Sequence, residues 1–249
     1  VKLCNLYPRF KVSTGANGEF EGIKDQVNQA KFDGVEAVDL IIQRAHATDA
    51  RRLVLLPVGK LTTIALALKK DPTIIPKVRI VWLGSNYPEP GEYNQVNDEP
   101  SLNYILNTEV EFEIALVRYN KPSGTDAVRA TLEEIKKIMP GKGPHVEPPV
   151  IGRHGESFTC FGDYAVNLFE KIKLHGNPPS RALFDMAAVA IVKNPKWATP
   201  RTIPAPVLKE GKWVERPDNS RNITLLENFD SKAIMTDFYN TMTHYQLAD

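Results

Sequence analysis

Cysteine is scarce in this chain: Cys4 and Cys160 are the two thiols among 249 residues. Two thiols cannot frame a disulfide-stapled domain, and their wide separation offers no zinc spacing; the five histidines show none either. No run of side chains nears the ~18 consecutive apolar residues that a membrane-spanning helix needs. Charge of one sign is lacking too. Thirty-one Lys and Arg against thirty Asp and Glu leave a net +1, without the basic surplus of a nonspecific nucleic-acid binder. Familiar catalytic signatures are missing as well. Gly59-Lys60-Leu61-Thr62 lacks the earlier glycine and the Lys-Ser/Thr pair of a phosphate loop, and no Gly-x-Ser-x-Gly elbow occurs. Repeats and low-complexity tracts are absent. The chain opens Val1-Lys2-Leu3-Cys4, with neither Met nor a signal-peptide pattern, so a cut or trimmed product is expected. The sequon Asn222-Ile223-Thr224 matters only in a eukaryotic secretory route.

What remains is an ordinary globular balance, 42% hydrophobic and 24% charged, long enough to bury a core without staples. Val35, Val38, Ile41, Ile42 and Ala45 share one helical face within Gly34 to Ala47. Leu53-Val54-Leu55-Leu56 reads as a buried strand stopped by Pro57 and Gly59, and Leu61 to Lys70 as a helix ending at Asp71-Pro72. Val78 to Leu83 gives a second buried strand. Asp98 caps a helix through Leu106, Phe112 to Arg118 is a strand, and Thr125 or Asp126 caps a helix reaching Ile138. Pro140 to Pro149 reads as a connection, followed by helices over Phe161–Leu174 and Leu183–Val192. Short strands are expected at Thr202–Leu208, Lys212–Glu215 and Asn222–Leu226, then a helix from Ser231 to Tyr245. This alternation predicts one α/β domain with a Rossmann-like, mostly parallel sheet flanked by helices and a small added β element near the C-terminus.

Ligands of open α/β sheets bind beyond the carboxyl ends of the strands. Two segments lie there: Val58 to Thr63, and Gly84-Ser85-Asn86 through Glu92-Tyr93-Asn94. A third, Leu183-Phe184-Asp185-Met186, sets one carboxylate inside an apolar run. Asp185 reads either as the N-cap of its helix or as a group that pairs or binds metal. Glu92 and Asn94 read either as solvated turn residues or as a pair aimed at a hydroxyl-rich ligand. Arg153 and His154 lie in a flexible stretch from which they could reach a site. These segments alone support a polar small-molecule site.

Taken together they resemble the inosine-uridine preferring nucleoside hydrolase family, from Gly34 to the C-terminal helix. Val58-Gly59-Lys60-Leu61-Thr62-Thr63-Ile64-Ala65 resembles the family's Gly-x-Leu-Thr-Asn-Ile/Leu-Ala segment. Trp82-Leu83-Gly84 is similar to its Met-Gly-Gly strand end, and Glu92-Tyr93-Asn94 followed by Asp98 to its Glu-Phe-Asn…Asp-Pro-Glu loop. Leu183-Phe184-Asp185 falls where the family has His-Asp-Pro.

The resemblance implies hydrolysis of the N-ribosidic bond of nucleosides, as in purine and pyrimidine salvage, with a tightly held calcium ion, Ca2+. It assigns Asp185 and the Val58 carbonyl to the metal, and Asn86, Glu92 and Asn94 to the ribose. Two departures accompany it. The family's Asp-rich strand end, Asp-x-Asp-x-Gly-x-Asp-Asp, which supplies further ligands and the general base, has no counterpart here, so a first strand and helix are expected to be missing. Phe184 stands where many members carry a His that protonates the leaving base; either His154 or Arg153 assists departure, or the leaving group needs little help, and Phe184 is a candidate to stack on the base. A noncatalytic ribose- or nucleoside-binding protein is the alternative, and a scaffold without either role a third. The resemblance implies that a homo-oligomer is possible, the family being commonly oligomeric, but the sequence itself does not read out the oligomeric state. Leu183-Phe184-Asp185-Met186 is similar to exported bacterial members, which leans toward the periplasm or secretion, with the cytoplasm as the alternative.

Overall fold

The structure is a computed structural model that describes residues 11–246. In chain order its helices are α1 (Phe20–Ile23), α2 (Val35–His46), α3 (Thr62–Lys70), α4 (Tyr93–Val96), α5 (Glu99–Leu106), α6 (Leu132–Ile138), α7 (Phe161–Lys171), α8 (Phe184–Lys193) and α9 (Ser231–Thr243). Its strands are β1 (Leu53–Leu55), β2 (Val78–Gly84), β3 (Glu111–Leu116), β4 (Arg129–Thr131), β5 (His145–Ile151), β6 (Ser157–Cys160), β7 (Ser180–Ala182), β8 (Thr199–Pro204), β9 (Val207–Lys209), β10 (Lys212–Val214) and β11 (Asn222–Glu227). Two compact units emerge. The larger holds Ser13–Asp126 and Phe184–Phe229; the smaller holds Ala127–Leu183 with residues 11–12 and 230–246.

The larger unit is built on a sheet ordered β1-β2-β3-β11-β8. The pairs β1–β2, β2–β3 and β3–β11 are parallel, whereas β8 runs antiparallel to β11. The apolar run Ile80 to Leu83 fits a strand covered on both faces, and all but Arg79 of β2 is buried. Trp82 and Phe112 lie fully buried and stacked, ring centroids 6.1 Å apart. Ile64, Leu66 and Leu68 of α3 pack into the same core, as do Val38 and Ala45 of α2. Gly34, at φ 88°, starts α2 in a conformation that favours glycine. Its backbone also meets Ala16, where an added Cβ would approach the Ala16 nitrogen to 2.6 Å.

Several expectations change here. β11 and β8 complete the main sheet, and the small added element is the antiparallel β9–β10 hairpin. Ala205-Pro206 divides what the sequence suggested as one strand from Thr202 to Leu208, because proline cannot donate to a ladder. β1 is half-buried rather than buried. β3 ends at Leu116, two residues early, since Arg118 turns into left-handed backbone at φ 45°.

The smaller unit clusters Ala130, Ile135, Met139, Ala165 and Phe169, with Met235, Phe238 and Met242 of α9 packed against them. The helix expected from Thr125 or Asp126 starts only at Leu132. A 3-10 turn over Thr125–Ala127 and strand β4, paired antiparallel with β7, come first. Thr131 is the cap: its hydroxyl accepts from the Glu134 amide while the Glu134 carboxylate accepts from the Thr131 amide, a reciprocal box. The connection expected at Pro140 to Pro149 contains β5, which pairs with β6 through a register shift between His145 and Val150. Such irregular two-stranded pairing tolerates Pro148 and Pro149. Cys160 is a free, buried thiol donating to the Lys142 carbonyl at 3.1 Å. Cys4 lies outside the described residues. No helix among the described residues is long and apolar enough to cross a membrane.

Candidate functional site at the strand ends

The carboxyl ends of β1, β2 and β3 bring most of the expected residues into one region of the larger unit. Beyond β1, the Pro57-Val58-Gly59 segment is tied twice to β2 and once to Asn94 of α4. The Leu83 backbone amide donates to the Pro57 carbonyl at 3.0 Å, the Trp82 indole to the Gly59 carbonyl at 2.9 Å, and the Asn94 side-chain Nδ2 to the Val58 carbonyl at 3.4 Å. Asn94 also donates to the Leu83 carbonyl at 3.0 Å, so it spans the ends of both strands. Gly84 must lack a side chain, since a Cβ there would meet the Trp82 ring at 2.2 Å. The Trp-Leu-Gly strand end is thus a packing requirement.

Glu92 is not a solvated turn residue; it is 2% exposed. Its Oε2 accepts from the Ser85 amide and from the Gln95 amide, each at 3.0 Å, so it caps α4 and ties that helix to the end of β2. No described residue donates to its Oε1. Asn86, 9% exposed, accepts from the Tyr119 amide at 3.3 Å. Asp98 acts structurally. It caps α5 at the Ser101 amide and accepts from the Phe20 amide at 3.0 Å and from the Thr62 hydroxyl. The Leu-Thr of the β1 segment and the Asp after the Glu-Tyr-Asn loop therefore hold each other.

Phe184 opens α8, and its ring meets Tyr119 edge-on with centroids 5.9 Å apart and planes at 87°. Asp185 sits inside the first turn of α8, so it is not the N-cap. It is exposed rather than buried, and takes no hydrogen bond or ion pair among the described residues. Desolvation by the protein around it still raises its carboxyl above the ordinary value. An acidic first-turn residue also suits the helix dipole. His154 and Arg153 are exposed in the turn between β5 and β6 of the smaller unit, and His154 takes no hydrogen bond among the described residues.

The end of β3 carries residues that sequence reading passed over. Tyr119 completes the aromatic corner. Arg118 forms an ion pair with Glu227 at 2.7 Å and donates to the Tyr87 carbonyl at 3.1 Å and the Ser123 hydroxyl at 3.0 Å. Arg201 also holds Glu227, at 2.8 Å. Arg201 first, then Arg118, keeps the Glu227 carboxyl below its ordinary value against the desolvation that opposes them. Burial, and then Glu215 accepting from its hydroxyl, push Tyr87 up to about 12. The strand-end rule, applied to β3 as to β1 and β2, would have drawn attention to Arg118 and Tyr119.

Calcium takes six to eight oxygen ligands. Asp185 and the Val58 carbonyl suit it in kind. They fall short in number, because no group of three or more His, Cys, Asp or Glu gathers among the described residues.

Comparison with known proteins adds a second line. The model of a family described as inosine-uridine preferring nucleoside hydrolase matches residues 6–236. An inosine-uridine preferring nucleoside hydrolase of Crithidia fasciculata is 23% identical over 188 residues, 73% of this chain and 54% of that protein. One of Leishmania major is 25% identical over 185 residues, 74% and 54%. The chain thus spans about half the length of these curated relatives. Among solved structures, a plant nucleoside hydrolase superposes with a TM-score of 0.68 at 16% identity, covering 98% of this chain and 86% of that one. Its fold is shared.

Proposed function

The chain belongs to the inosine-uridine preferring nucleoside hydrolase family, and from that membership we propose that it hydrolyses the N-glycosidic bond of ribonucleosides to free base and ribose. The observation that carries this reading is Glu92. A buried carboxylate with Oε2 fixed by two backbone amides and no described donor on Oε1 is an acceptor prepared for a hydroxyl. Charged acceptors make the stronger hydrogen bonds. Asn86 and Asn94, held at the same strand ends, contact the remaining sugar hydroxyls.

As the bond to the base breaks, positive charge grows on the sugar ring, and oxygens fixed beforehand around it favour that charge over the neutral ground state. A bound calcium ion would supply a Lewis-acidic hold on the ribose diol and a water. Among the described residues, Asp185 and the Val58 carbonyl would each give it one oxygen, short of a full set. Phe184 has no proton to give; with Tyr119 it offers aromatic surface to the departing base. Assistance by His154 is tested separately, since unchanged turnover in His154→Ala removes it.

The second reading, a noncatalytic nucleoside-binding protein, draws on the shortfall in acidic ligands among the described residues and on Phe184. Chromatography of base released from a purine and pyrimidine panel, with and without calcium, separates the two. Hydrolysis predicts calcium-dependent release, lowered by roughly tenfold or more in Glu92→Gln, the worth of one charged hydrogen bond. Binding without release supports the second reading. Neither binding nor release removes both.

A further inference from the structure

Three loops leave the carboxyl end of the larger unit's sheet around one guanidinium. The Arg118 side chain is 11% exposed. Its ε-nitrogen donates to the carbonyl of Tyr87, the residue after Asn86. One terminal nitrogen donates to Ser123 in its own loop, and the other pairs with Glu227 at the end of β11. The backbone repeats the pattern. The Val117 amide donates to the Ser85 carbonyl at 2.9 Å, and the Asn228 amide to the Ser123 carbonyl at 2.8 Å. The Tyr119 amide donates to the Asn86 side chain. Arg118 thus fixes both neighbours of that last bond, one through Tyr87 and the other through its own main chain.

We propose that Arg118 is the positioning residue of the candidate site, acting through Asn86 and Tyr119. It rests on the reading of Asn86 as a ribose contact. Three directions at once need a planar fork; a lysine in the same place keeps the charge as a point donor and cannot meet all three acceptors. Arg201 tells the ion pair apart from the clamp, because it also holds Glu227, mainly through Oε1, and donates to neither loop among the described residues.

The first measurement needs no activity. In Arg118→Lys, amide hydrogen exchange at Tyr119 and Val117 should quicken roughly tenfold, as local opening follows the loss of one to two hydrogen bonds, while central β2 and β3 amides keep their rates. Arg201→Met should leave the Tyr119 and Val117 rates alone. Wild-type exchange at both amides in Arg118→Lys overturns the clamp. Should Arg118→Lys fail to fold, Ser123→Ala removes one limb, with exchange expected to rise about fivefold.

The second measurement follows nucleoside binding and turnover in Arg118→Lys, Asn86→Ala and the double variant. Acting through Asn86, Arg118→Lys weakens nucleoside binding roughly tenfold alone and little further once Asn86 is Ala, a coupling that a merely structural residue lacks. Additive losses overturn the proposal. A wild-type protein that neither binds nor hydrolyses nucleosides defeats the proposed function instead, and the exchange experiment still decides whether Arg118 is the clamp.

Discussion

At the scale of single residues, Asp185 and Glu92 are opposite kinds of carboxylate. Glu92 is buried and fixed by amides; Asp185 is exposed, without a described partner, and raised by desolvation. A carboxyl whose folded value lies above its unfolded value binds more protons in the native state. Its contribution is therefore fully present below the ordinary value of 3.8 and is lost as pH rises through the raised folded value. Asp185→Asn should flatten that part of the stability–pH curve. In calcium-free buffer at neutral pH it should be at least as stable as wild type, as read from urea midpoints across the acid range. If Asp185 is instead needed for folding, the variant will be the less stable at every pH. A gain in stability on removing this carboxylate would fit a ligand-binding role, since functional groups are often held at a cost to the fold.

At the scale of elements, the sequence was most readable where packing and periodicity agree. The extents of α2, α3 and β2 follow from apolar spacing, and Asp98 was legible as a cap because it directly precedes Glu99-Pro100 and an apolar helix. It failed at the start of α6. Thr125, Asp126 and Thr131 all offer capping oxygens, but only Thr131 has a Glu three residues on to close the reciprocal box. Thr131→Ala should lower stability by about 1 kcal/mol, measured by urea unfolding. The expected site was legible as a set of strand-end loops, and its quality was not. Nothing local to Glu92 announces that two amides will engage a single oxygen, because one amide lies in the loop before it and the other in the helix after it. Arg118 was hidden for the same reason, since its partners are 31 and 5 residues away, with Glu227 much farther along the chain.

At the scale of the whole molecule, thirty-one basic and thirty acidic side chains give a near-neutral net charge, which supplies little long-range attraction to a nucleic acid or a charged surface. Calcium tests the assembled site. A cation that binds only the native state stabilises it by RT ln(1 + [L]/Kd), about 2.7 kcal/mol at one hundred times Kd. Adding calcium should raise the melting temperature of the protein, and magnesium should do so less, since it demands a stricter octahedron than a carboxylate and a carbonyl begin. Equal melting curves with and without calcium would mean that these donors hold no ion in this chain.

One consequence of the strand end at Trp82 is optical. Its indole is fully buried, stacked on Phe112, and bonded through its nitrogen to the carbonyl of Gly59, the residue next to Val58. Any ligand drawn to the Val58 carbonyl pulls on a turn that the indole itself braces. The protein therefore carries its own reporter, and a change in the emission of that one tryptophan, isolated by replacing Trp197 and Trp213, would register occupancy of the turn without any label.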